Sequence, residues 1–363
     1  MVSKIVFTFI LLLSIVSPSF AEKAGSPKTL KAGVVVSLTG DAAMSGEAMR
    51  KGIELARAEL ESKGWNVDLA WQDGETKPSK VVSSIQFLSG QGYRLLIGPT
   101  WSFEINAAKT VLEQSGSVTI APAGSSDING LVSTSIFNLC PLRSRATAVL
   151  ADWLKSRPFK KAYVLVPSGD WGVVHKAVFL DALKSAGVTN VDLDEYDYGW
   201  TPAAFKALLL RRKASGADLI LTTGAGSDLA NMLKVRRDLH WSSTFVATED
   251  LWDAIDMKLV SSSSPELQDS WVLGLPLSGP FFDQFAREYH ESPKVYADRG
   301  FDALMLLAKA VEAGGPGSEA VKNFFVAMPE TEGASGPIKF NAAGDRVTGG
   351  YKVMPAFKNE PRV

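Results

Sequence analysis

The chain has 363 residues, 46% of them hydrophobic, with 31 Gly and 18 Pro, and its 38 Lys and Arg nearly balance 39 Asp and Glu. That composition excludes a disordered or collagen-like polymer, and the length favours two lobes over one continuous core. A formal charge of −1 supplies no chain-wide attraction to nucleic acid or anionic lipid.

Lys4 precedes the apolar run Ile5 to Val16, Ser17 and Pro18 break it, and Ser19 and Ala21 put small residues where a secretory signal is cut. A signal over residues 1–21 is expected, removed after Ala21, leaving 37 basic against 39 acidic residues. The apolar run is shorter than the roughly 20 residues a bilayer span needs. No Cys stands at the cleavage site to carry a lipid. The single Cys140 cannot close an intramolecular disulfide or build a thiolate metal site, and reads as a buried apolar thiol. Export without paired cysteines fits a bacterial periplasm better than a eukaryotic secretory route.

Apolar runs then alternate with helical periodicity. A strand over Lys31–Ser37 leads to a helix from about Glu47 to Lys63, with Ile53, Ala56 and Leu60 on one stripe. A strand at Val67–Gln72, a helix at Ser79–Gly90, the strand Arg94–Ile97 and a helix after Ser102 continue the rhythm. It restarts with a helix near Ala146–Lys155, a strand at Lys161–Val166, a helix from about Trp171 and strands at Asp218–Thr222 and Thr244–Thr248. After Trp271–Leu275 the chain meets Pro276, Gly279 and Pro280, where it is expected to leave the second lobe. Helices near Phe281–Tyr289, Asp298–Glu312 and Glu319–Met328 precede a Gly-rich stretch from Gly333 to Gly350. The predicted fold is α/β: two Rossmann-like lobes with mainly parallel central sheets, joined by a hinge crossed several times. Open sheets of this kind bind ligands outside their carboxyl ends, so function belongs in the cleft between lobes.

Four junctions carry candidate chemistry. Gly98-Pro99-Thr100-Trp101-Ser102 lies between a buried strand and a helix, where orphan N–H groups and the Ser102 hydroxyl suit an anion; Ser102 capping its own helix is the equal alternative. Ala121-Pro122-Ala123-Gly124-Ser125-Ser126 lets backbone and hydroxyl groups approach a ligand. Glu249-Asp250, at the end of a strand, suit an ammonium, or cap the following helix. Trp171, within Gly169-Asp170-Trp171-Gly172, suits an apolar lid over the cleft, or simple core packing.

Other motifs fail. Gly224-Ala225-Gly226 begins a dinucleotide fingerprint, but Leu229 holds the third Gly position. His175, His240 and His290 lack metal-ligand spacing, and neither a nucleophile elbow nor a phosphate loop occurs. No catalytic residue, metal or cofactor is expected. An enzyme reading would need Glu249, Asp250 or His175 as general base with nothing else to support it.

Taken in order, Ser37-Leu38-Thr39-Gly40, Ile97-Gly98-Pro99, Ile120-Ala121-Pro122-Ala123, Asp170-Trp171-Gly172, Ala297-Asp298-Arg299-Gly300-Phe301-Asp302-Ala303 and Gly336-Pro337-Ile338-Lys339-Phe340 resemble the type I periplasmic solute-binding proteins of ABC importers, in particular the branched-chain amino acid receptor group. The resemblance spans nearly the whole mature chain. It implies an N-terminal lobe of residues 28–142 with 276–337, a C-terminal lobe of 143–275 with 348–358, and an amino acid-like ligand captured by hinge closure. It further implies a ligand carboxylate held by Ser102 and Ser125 with the backbone near Ala123 and Gly124, an ammonium met by Glu249, and an aromatic stack from Trp171. Where the family often carries larger groups, this chain has Ser45 and, near Ser227, Gly226, which implies a pocket of different shape. The partner implied is an inner-membrane permease, with a sensor reporting to a signalling partner as the alternative and no role for nucleic acid.

Overall fold

The computed structural model describes residues 28–124, 133–276 and 279–356. The first half runs β1 (Lys28–Val36), α1 (Ala43–Ser62), β2 (Trp65–Asp73), α2 (Pro78–Gly90), β3 (Leu95–Ile97), α3 (Ser102–Gln114), β4 (Val118–Ala121) and β5 (Ile136–Pro141). A short 3-10 turn at Arg143–Arg145 leads into α4 (Ala146–Lys155), β6 (Ala162–Pro167), α5 (Asp170–Ser185), β7 (Val191–Tyr196), α6 (Pro202–Ala214), β8 (Leu219–Thr222), α7 (Gly226–Asp238), β9 (Thr244–Thr248), α8 (Asp250–Asp256) and β10 (Ser270–Gly274). The last part contains α9 (Pro280–Tyr289), α10 (Ala297–Gly314), α11 (Ser318–Ala327), the hairpin β11 (Thr331–Gly333) and β12 (Gly336–Ile338), then β13 (Asp345–Arg346) and β14 (Lys352–Pro355).

Two six-stranded sheets result, ordered β13-β5-β4-β3-β1-β2 and β14-β10-β9-β8-β6-β7. Within these two sheets every strand pairing is parallel except β10 with β14. The two orders are the same doubly wound plan used twice, so each sheet has its switch point beside its first strand, between β1 and β3 and between β6 and β8. The central strands are continuous apolar runs because helices cover both faces: β3, β4, β6, β8 and β9 are buried throughout. The edge strand β7 is Val-Asp-Leu-Asp-Glu-Tyr, with only Tyr196 fully buried, which hid it from a search for buried runs. The helices α6 and α7 were likewise not anticipated, α8 is the helix that the Glu249-Asp250 pair was expected to precede, and α1 starts at Ala43, ahead of the expected Glu47.

The main chain passes between the sheets three times: after β5, after β10, and between β13 and β14. Residues 338–347, which the sequence division left unassigned, contain β13 at the edge of the first sheet. Helix α10 crosses α1 at very close range. A Cβ on Gly52 would lie 1.9 Å from the Ala297 carbonyl oxygen, and one on Gly300 would lie 2.4 Å from that of Met49. Only glycine permits this approach. Among the described residues, no helix is long and apolar enough to cross a membrane.

Candidate functional site

At the first switch point, Ser37 follows β1 and Gly98 follows β3; the Gly98 φ of +103° and the Val35 oxygen, 1.9 Å from any added Cβ, require glycine. The Ser37 N–H donates to Thr100 Oγ1 at 2.7 Å and its hydroxyl donates to Glu104 Oε1 at 2.8 Å. Glu104 Oε2 accepts the Trp101 N–H at 2.9 Å, so a carboxylate of the chain itself already sits at the start of α3. Burial raises the Glu104 pKa against the pull of these hydrogen bonds. The neighbouring loop is pinned by Asp73, which accepts the Leu38, Thr39 and Glu75 N–H groups. Burial opposes its charge, but these bonds and the Thr39 hydroxyl hold its carboxyl below the ordinary value.

Ser102 is buried at the first position of α3, and Trp101 is half-buried with its ring edge-on to Phe103. Ala123 and Gly124 are buried; a Cβ on Gly124 would lie 2.3 Å from Asn138 Oδ1, so this glycine serves packing onto β5. Ser125 lies outside the described residues. Ser45 is half-buried in the first turn of α1. Gly226 does not widen a pocket: it opens α7 against α8, where an added Cβ would meet the Ala254 nitrogen at 2.8 Å.

At the second switch point a hydrogen-bonded chain runs across three strand ends. The Trp171 indole N–H donates to Thr223 Oγ1 at 2.8 Å, Thr223 and Thr248 hydroxyls meet at 2.8 Å, and Thr248 donates to Asp250 Oδ2. Since the indole can only donate and the Thr248 proton goes to Asp250, the Thr223 proton must point to Thr248. Asp250 is half-buried, and burial reinforced by Glu249 pushes its pKa up to about 6.

Glu249 departs from the expectation of an open acid awaiting an ammonium. It is 1% exposed, its Oε1 lies 3.2 Å from Arg143 Nη1 and 3.7 Å from Arg299 Nη1, and its Oε2 accepts the Leu275 N–H at 3.3 Å. Burial disfavours its charge, yet the guanidiniums of Arg299 and Arg143 outweigh that and hold its carboxyl below the ordinary value. Cys140 is buried as expected but not in apolar surroundings, because Arg299 Nη1 reaches its sulfur at 2.9 Å. All three crossings meet here: Arg143 lies on the first, Leu275 on the second, and Tyr351 on the third donates to the Pro141 carbonyl at 3.0 Å.

Sequence reasoning missed Arg143, Arg299, Glu104 and the Thr223–Thr248 relay. Arg143-Ser144-Arg145 looks like a solvated charge pair. The available signal was its place, directly after a buried strand ending in proline where the lobe pattern restarts. Asp298, Arg299 and Asp302 gave a plainer one, being charges embedded in an apolar helical run and all buried.

The twin doubly wound sheets, the three crossings that join them and the polar groups gathered at their switch points define a two-lobed α/β protein. The chain belongs to the periplasmic binding protein family, whose sequence model matches residues 29–360. A Leu/Ile/Val-binding protein homolog 3 of Brucella melitensis is 27% identical, and this chain spans only 56% of that protein's length. The Leu/Ile/Val-binding protein BraC3 of Rhizobium johnstonii is 23% identical over 91% of this chain and 92% of its own. The fold is shared with the branched-chain amino acid transporter substrate binding protein LivJ from Streptococcus pneumoniae, solved in complex with isoleucine, at a TM-score of 0.76 and 18% identity over 90% of this chain and 99% of that one.

Proposed function

We propose that this chain is the exported substrate-binding receptor of an ABC importer, taking an amino acid or a related small carboxylate between its lobes. The observation that supports the reading is a pair of sheets built on one doubly wound plan, each with buried polar groups at its switch point and the two joined by three chain crossings. The relatives' printed names, Leu/Ile/Val-binding proteins, support the ligand class. The N-terminal lobe would comprise 28–142 and 276–337 and the C-terminal lobe 143–275 and 348–358. Ser102, Trp101, Ala123, Gly124 and Ser125 would face the ligand from the first and Trp171 from the second.

A ligand touching both lobes binds the closed form better than the open one and so drives closure, the form a permease would read. A ligand touching one lobe alone would shift nothing. Receptor rather than enzyme is the family's role, so bound ligand should be recovered unchanged. Thermal unfolding of the purified chain, first freed of carried-over ligand, against amino acids, amides, small carboxylates and sugars tests the reading. One-site binding at about 100 times Kd adds about 2.7 kcal/mol. Export is checked separately by the mass of the chain recovered from the periplasm, which should begin at Glu22.

A further inference from the structure

Asp250 follows the carboxyl end of β9 directly after Glu249, yet the two acids differ in what they have left to offer. Glu249 is sealed, with both oxygens spent on Arg143, Arg299 and the Leu275 N–H. Asp250 is half-buried, and its Oδ2 accepts the Thr248 hydroxyl, the last link of the Trp171–Thr223–Thr248 chain. Every proton in that chain points towards Asp250, so the chain supports the ionised carboxylate and fixes its rotation. Among the described residues no other side chain bonds Oδ1 and no Lys or Arg forms an ion pair with Asp250, while Arg143, which acts on it at longer range, is matched by Glu249.

A second observation comes from α7. Asp228 is fully buried, its Oδ1 accepts the Gly199 N–H at 3.1 Å, and its Oδ2 has no partner. A buried carboxylate short of donors and of any cation calls for a specific explanation. Gly226, whose added Cβ would meet the Ala254 nitrogen at 2.8 Å, brings the starts of α7 and α8 together. The Tyr196 and Tyr198 hydroxyls feel the charges of both Asp228 and Asp250, so the two acids act on one wall at the carboxyl ends of β7, β8 and β9. That wall lacks a positive charge, and a ligand can supply it. Tyr198 is 51% exposed and Trp171 half-buried at the same end of the sheet, aromatic groups of the kind that flank a cation. We infer that Asp250, not Glu249, is the counter-ion of the ligand's ammonium group, with Tyr198 and Trp171 flanking it. Thr248 and Thr223 are then positioning residues that hold the carboxylate, and Asp228 deepens the negative potential from behind. The ligand carboxylate is left to the first lobe, so a zwitterion spans the cleft. This rests on the reading of the chain as a cleft receptor and specifies how it selects its ligand.

The test is calorimetry on the wild-type protein with amino acids set against oxo acids of the same skeleton: leucine with 4-methyl-2-oxopentanoate, phenylalanine with phenylpyruvate, glutamate with 2-oxoglutarate, and glucose alongside. In the pair that binds, the amino acid should be at least about tenfold tighter, as a charge-assisted hydrogen bond requires. Its affinity should fall about tenfold between pH 8 and pH 5, because Asp250, with a pKa of about 6, takes up a proton over that range. Glu249, held below its ordinary value, does not titrate there. His175 stands against Trp171, with ring centroids 4.3 Å apart, and Tyr296 also feels Asp250, so the same profile is measured on Asp250→Asn, whose amide oxygen still accepts from Thr248. That variant should bind the amino acid about fiftyfold more weakly, hold its oxo acid affinity and lose the pH dependence. Thr248→Val, which removes a donor to the carboxylate, should move the midpoint of the wild-type profile to higher pH. If Asp250→Asn does not fold, the probe pairs and the profile of the unaltered protein decide. An oxo acid bound as tightly as its amino acid, a flat wild-type profile, unchanged amino acid affinity in a folded Asp250→Asn, or binding of glucose alone overturns the inference and leaves the receptor standing. Binding of no probe removes both.

Discussion

Arg299 reaches from α10 to Glu249 at the end of β9, its Nη1 3.7 Å from Oε1, so one carboxylate answers guanidiniums from the first lobe's helix and from the first crossing. Glu249 is therefore the electrostatic centre of the hinge as this chain builds it. Replacing it by Gln keeps the shape and removes the charge, leaving Arg143 and Arg299 facing each other in a dry site. We expect Glu249→Gln to cost about 3–5 kcal/mol, the usual penalty for orphaning a buried ion partner. Urea unfolding of the variant checks it; a loss below about 1 kcal/mol would mean that water reaches the guanidiniums.

Asp250 should make stability depend on pH in the opposite sense to Glu249. Its folded pKa of about 6 lies above the ordinary aspartate value of about 3.9, so the folded chain holds the proton more tightly. Its contribution is fully present below about pH 4 and is lost as the pH rises through about 6. Glu249, with its folded pKa lowered, contributes above the ordinary glutamate value and loses that contribution as the pH falls through the folded one. Relative to Asp250→Asn, the wild type should thus lose about 1–3 kcal/mol between pH 4 and pH 7 and change little above that. Denaturant midpoints of both proteins across this range give the difference, and a flat difference would show that Asp250 ionises freely.

The architecture was readable because its signals are local. Buried runs such as Leu95-Leu96-Ile97 and Thr244–Thr248, separated by helical stripes, specify parallel strands wherever they occur, and the sheets contain them. Edge strands were harder: β7 carries three acids and β13 is two residues long, so neither has an apolar pattern to find. The site was legible as a set of places, the loops at Ser102, Trp171 and Glu249, but not as a set of partners. Glu249 looked open because its counter-charges, Arg143 and Arg299, lie 106 and 50 residues away and come together only when three crossings are packed side by side. Glu104 at the α3 start was missed although its signal is local: its spacing from Trp101 is that of a capping acid, and it accepts the Trp101 N–H.

Glu104 holds the first switch point together, since it links α3 to the end of β1 through Ser37, whose hydroxyl in turn accepts the Thr76 N–H at 2.9 Å. Glu104→Ala removes the acceptor of two buried donors, and each orphaned donor costs roughly 1–3 kcal/mol. We expect a total of about 2–4 kcal/mol in chemical denaturation. Glu104→Gln should cost less, because its amide oxygen still accepts one of the two bonds. Equal losses in the two variants would show that the charge, not the hydrogen bonds, carries the effect.

The α1–α10 crossing gives a prediction of unusual sign. In an exposed helix interior Gly→Ala gains up to about 1 kcal/mol from propensity. At Gly52 the added methyl would lie 1.9 Å from the Ala297 oxygen and 2.9 Å from the Phe301 nitrogen, both backbone atoms that cannot turn aside. Gly52→Ala must push the helices apart, and we expect a loss of about 3 kcal/mol or more, in the range of severe overpacking. Because Arg299 follows Ala297 by two residues on the displaced helix, the Glu249 contact should loosen too, and ligand affinity should fall with stability. Gly90, at the end of α2 with nothing within 4 Å of its would-be Cβ, is the control, and Gly90→Ala should be neutral or slightly stabilising. Thermal unfolding of the two variants with and without a bound acid separates the cases: a Gly52→Ala protein as stable as Gly90→Ala would mean that α10 is free to shift, and the rigid placement of Arg299 would have to be abandoned.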